Sequence, residues 1–63
     1  MLDQTVLRER FEGLLAQERQ AEGVYASLAS QVRDPQLREQ VEQIHRDKRR
    51  HILLTERLLE IVD

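Results

Sequence analysis

Glu18, Lys48 and His51 are the ionisable residues that break two otherwise apolar seams, and they are where this chain could carry chemistry. A glutamate carboxylate and a histidine imidazole are oxygen and nitrogen donors of the kind that hold zinc, iron or manganese. One such pair is too small a ligand set. Two copies of the chain would supply two Glu18 and two His51, the number of ligands a tetrahedral zinc takes. Glu22, one turn after Glu18, and Asp47, one turn before His51, are substitute ligands on the same helices. Lys48 opposes a cation, because an ammonium has three donors and no acceptor. The trio also reads as a buried, hydrogen-bonded polar cluster, with the hydroxyl of Tyr25 finding a partner near the same level. The plainer reading of each residue is structural: His51 as a satisfied boundary histidine, Lys48 as a buried stem with a wet head, Glu18 as a flanking glutamate.

Other chemistries find no residues. There is no cysteine, which excludes disulfides and thiol nucleophiles. Thr5, Ser27, Ser30 and Thr55 lack any triad context, and no glycine-rich phosphate loop exists. Arg46, Lys48, Arg49 and Arg50 form a basic run. Glu39, Glu42 and Glu56 stand near it on the same helix, and no aromatic platform accompanies it. That pattern fits a salt-bridged surface, not a nucleic-acid site. His45, six residues before His51, is expected on another face and solvated.

Two helices must position these groups. Asp34-Pro35 is a helix start: aspartate can cap the unpaired N–H groups, and proline at the first helical position gives up an N–H that would be unpaired anyway. The residue before a proline avoids the α region, so a preceding helix should end near Val32. Asp3 offers a similar cap. The expectation is helix over about residues 3–32, a turn at 33–34, and helix over about 35–62, in one domain spanning 1–63. A 3-4 spacing runs Leu7, Phe11, Leu14, Glu18, Ala21, Tyr25, Leu28, Val32. A second runs Leu37, Val41, Ile44, Lys48, His51, Thr55, Leu58, Val62. Folding back at Asp34 sets Glu18 against His51, Ala21 against Lys48 and Tyr25 against Ile44.

A chain of 63 residues buries only about 60% of its extended surface, so a lone hairpin would be marginal. The apolar surface is also wider than one partner helix needs. Leu15 and Val24 flank the first seam; Ile52, Leu53, Leu54, Leu59 and Ile61 flank the second. The simplest closed solution is a homodimer with four helices around one core, and a higher oligomer would also cover the stripe. Formal net charge is −2, no apolar run is longer than the three residues of Ile52-Leu53-Leu54, and the chain starts Met1-Leu2-Asp3-Gln4 with no signal-peptide pattern. The expectation is a cytoplasmic protein with no membrane partner.

From about Leu14 to Leu59 the chain resembles one half of a ferritin-like protein, especially the rubrerythrin-like members and the encapsulated ferritins. Glu18-Arg19-Gln20-Ala21-Glu22-Gly23-Val24-Tyr25 is similar to the family's ligand glutamate with a tyrosine seven residues on. Asp34-Pro35-Gln36-Leu37-Arg38 is similar to its turn, and Asp47-Lys48-Arg49-Arg50-His51 to its Asp-Glu-x-x-His. The resemblance implies an all-α helical hairpin that dimerises into a four-helix bundle. It implies Glu18 as the single-helix ligand and His51 as the histidine ligand. Lys48 stands where the pattern has its second glutamate. In a dimer, two Glu18 and two Lys48 balance without a metal, so an ammonium stands where a cation would.

The expected function is therefore a non-catalytic, self-associating structural or interaction module with a decayed di-metal site and no cofactor. The alternative is a metal-binding protein that uses Glu18 and His51 across a dimer to hold iron, manganese or zinc, with weak iron oxidation. Besides a second copy, another helical protein is the partner the apolar faces would suit.

Overall fold

The computed structural model describes residues 3–62; Met1, Leu2 and Asp63, with the readings that touch them, lie outside the described residues. Among the described residues the chain is all-helical, with two helices and no strand. Helix α1 is Gln4–Gln31 and helix α2 is Pro35–Val62, 28 residues each.

Both starts follow from aspartate chemistry. Asp3 has extended backbone angles and its side chain accepts from the Val6 N–H at 2.9 Å. Its carbonyl accepts the first helical bond, from the Leu7 N–H at 3.0 Å. Asp34 Oδ1 accepts from the N–H groups of Gln36 at 2.9 Å and Leu37 at 3.2 Å, and Pro35 sits at the first helical position. These are the pairings that satisfy otherwise orphaned helix donors. At the other end of α1, Val32 turns extended (φ −74, ψ 128) while its N–H still reaches the Leu28 carbonyl at 3.0 Å. The turn between the helices uses no positive φ.

A helix of this length spans about 42 Å, and the molecule is a rod of 47 × 17 × 14 Å. The helices pack along their length through Leu7, Phe11, Leu15, Glu18, Glu22, Tyr25 and Ala29 from α1, with Val32 at its C-cap. From α2 come Val41, His45, Lys48, Ile52, Thr55, Leu59 and Val62. Among the described residues the most deeply buried are Leu15 (8% exposed) and Val62 (9%), and no side chain is fully buried.

The seams read from spacing are corrected in phase. Leu14, Leu28, Leu37, Ile44, His51 and Leu58 do not lie between the helices; all are exposed, Leu14 at 51% and Leu37 at 53%. Leu15, Ala29, His45, Ile52 and Leu59 take the inward places. The reason is geometric. A heptad seam points at the centre of a bundle, whereas two helices alone cover only the stripe that joins their axes. The uncovered residues therefore line one side of the rod. No helix among the described residues is long and apolar enough to cross a membrane.

Candidate functional site

Glu18 is the centre of the polar layer. It sits at mid-length of α1, and Lys48 sits at mid-length of α2. Lys48 Nζ donates to Glu18 Oε1 at 3.5 Å, a long charge-assisted contact between two largely buried side chains. His51 Nδ1 lies 3.5 Å from Glu18 Oε2. That second contact is an ion-pair distance without hydrogen-bond alignment: Oε2 is shielded from solvent and accepts no hydrogen bond within the chain. The Glu18 side chain is 23% exposed, whereas His51 is 55% exposed and stands on the uncovered apolar stripe between Ile44 and Leu58. Glu18 thus faces His51 as spacing predicts, but it also takes Lys48, which was expected opposite Ala21.

Three further groups belong to the expected site. Glu22 is engaged elsewhere: His45 Nε2 donates to Glu22 Oε1 at 2.7 Å, in a partly buried contact. The direction follows because an ionised carboxylate only accepts. Asp47 is exposed. Tyr25 is half-buried and lines a shallow apolar groove with Ala21, Val24 and Leu28 on the uncovered side.

His45 is the polar residue that spacing misplaced. Counted back from His51 it falls on another face, but His45, Ile52 and Leu59 are seven residues apart and form the stripe that turns inward. That spacing was the available signal. Arg19 adds a fourth interhelical contact, reaching Glu56 Oε2 at 3.3 Å on the exposed edge. The basic run behaves as a surface: Arg46, Arg49 and Arg50 are exposed and line an open hollow beside Leu53.

The donor set of one chain does not fit a di-metal centre. Among the described residues no three His, Asp or Glu side chains converge. Glu18 and His51 approach each other, Glu22 is held by His45, and an ammonium occupies one oxygen of Glu18. What this arrangement can do within one chain is hold two helices in register through charge-assisted contacts.

Comparison with protein-family models, curated proteins and solved structures gives no match.

Proposed function

We propose that this chain is a self-associating helical module, two copies of which close a four-helix bundle around Glu18, Lys48 and His51, a polar layer in place of a metal centre. One observation carries the reading: a stripe of exposed apolar side chains, broken by His51, runs along one side of the rod from the level of Leu14 and Leu58 to the turn end. Leu14, Leu28, Leu37, Ile44 and Leu58 line it, and the groove beside Tyr25 continues it. Apolar side chains of this size each contribute about 1.5–3 kcal/mol when fully buried. In the lone hairpin the side chains of this stripe are between 37% (Ile44) and 53% (Leu37) exposed, so much of their contribution is unused. The stripe and its polar break belong to both helices, so the same surface can serve both sides of a twofold contact.

Sedimentation equilibrium at micromolar concentration tests this, with Ile44→Asp as the contrast. The expected result is a dimer whose melting temperature rises with concentration, and a variant that is monomeric and poorly folded. A wild-type monomer that melts cooperatively at a concentration-independent temperature would sink the proposal.

A second reading is favoured by Glu18 Oε2, shielded yet without a donor, 3.5 Å from His51 Nδ1. In a dimer, two such pairs would offer two carboxylates and two imidazoles to zinc, iron or manganese, with Lys48 displaced. Iron held there would support weak oxidation. Native mass spectrometry of protein purified without chelator separates the readings: a metal-free dimer supports the first, stoichiometric metal the second.

A further inference from the structure

We infer that the two hairpins of the dimer lie with their turns at the same end, the twofold axis running along the bundle, so that α1 of each copy packs against α2 of the other. This rests on the self-association proposed above and adds the orientation of the partner.

Two hairpins can close face to face in two ways. With the axis along the helices, each α1 gains the partner's α2 as neighbour. With the axis across the helices, α1 gains the partner's α1 and α2 gains the partner's α2. Both forms keep all adjacent helices antiparallel, so helix dipoles do not choose between them. Level does not choose either. Glu18 and Lys48 lie at the midpoints of their helices, so both forms bring the two polar layers to one level.

The chemistry of that layer decides. The crosswise form sets Glu18 beside the partner's Glu18 and Lys48 beside the partner's Lys48, pairing like charges in a layer that dimerisation shields further. The lengthwise form alternates the charges around the bundle. Each Glu18 then stands between its own Lys48 and His51 and those of the partner. Glu18 Oε2, shielded and accepting no hydrogen bond within the chain although its own His51 Nδ1 lies 3.5 Å away, receives a donor from the partner's Lys48 or the partner's His51. A shielded carboxylate oxygen without a donor is costly, so this form removes a defect that the crosswise form deepens.

The opposing effect is weaker. The lengthwise form gathers the open ends, where exposed Glu9 and Glu60 stand beside exposed Arg10 and Arg57 and Glu12 is paired with Arg8, so charges of both signs meet there. Charges in solvent are screened over about 8 Å at physiological ionic strength, while charges in the central layer are screened much less.

The chain has no cysteine, so Arg33→Cys on the exposed turn gives one labelling site per copy. Pulsed electron paramagnetic resonance on the nitroxide-labelled dimer reads the orientation directly. The expected distance is roughly 20–30 Å, from adjacent turns across two helix spacings plus the label arms. Arg57→Cys, near the open end, should give a similarly short distance. A distance near the 47 Å length of the rod at Arg33 would overturn the orientation while leaving self-association intact. A monomer in sedimentation would remove the self-association reading and this inference with it.

Discussion

Glu22 Oε1 and His45 Nε2 stand 2.7 Å apart, the shortest side-chain contact between the two helices among those described, one turn closer to the hairpin turn than the Glu18–Lys48 contact at 3.5 Å. The tighter link is thus between two residues whose types invite a metal reading but whose geometry makes them partners of each other.

That contact should be worth about 1 kcal/mol. Both side chains are less than a third exposed, so solvent screening is partial. Glu22→Gln and His45→Ala are each expected to lower stability by about that amount. A double-mutant cycle in urea should return a coupling of similar size. Additive single effects would show that the side chains do not interact in solution.

Lys48→Met tests the central layer. It leaves Glu18 shielded with no cation on Oε1, so a loss of about 1–3 kcal/mol is expected. Adding Glu18→Leu should recover most of it, because removing both charges removes the unpaired group. The recovered protein should also be less particular about assembly, which sedimentation velocity would show as several species in place of one. A Lys48→Met protein as stable as wild type would remove Lys48 from the account of this layer.

Gly13 and Gly23 lie inside α1 on its exposed side, and a Cβ at either would meet nothing within 4 Å. Each glycine costs its helix about 0.5–1 kcal/mol relative to alanine. Gly13→Ala and Gly23→Ala should therefore each raise stability by about that much in thermal or urea melts, and the two should add. A loss at either position would mean that some surface of the assembly approaches α1 there.

Helix type and number were legible because their signals are local. Asp3 and Asp34-Pro35 mark both starts through their own side chains, and the apolar spacing fills the 28 residues that follow each. Phase was not legible. Leu14 and Leu15, or His51 and Ile52, compete for the inward place. Which one turns in depends on whether the helix faces one neighbour or the centre of a bundle. Glu18 and Lys48 turn toward the other helix in either phase, which is why spacing and structure place them alike. His45 was missed because its stripe, with Ile52 and Leu59, faces only the neighbouring helix.

The metal question turns on one charge. Glu18 and His51 are within 3.5 Å of each other, but Lys48 holds one Glu18 oxygen and brings a positive charge to the layer. Lys48→Glu replaces that ammonium with a carboxylate. Without metal the variant should be destabilised, since Glu18 and the new glutamate repel at close range. With iron or manganese the balance reverses: a ligand present at about 100 times its dissociation constant adds about 2.7 kcal/mol to the folded state. Thermal melts with and without each metal should show a rise for Lys48→Glu and none for wild type. A rise for wild type of the same size would mean that Lys48 yields to a cation, and would move the metal-binding reading ahead of the polar layer.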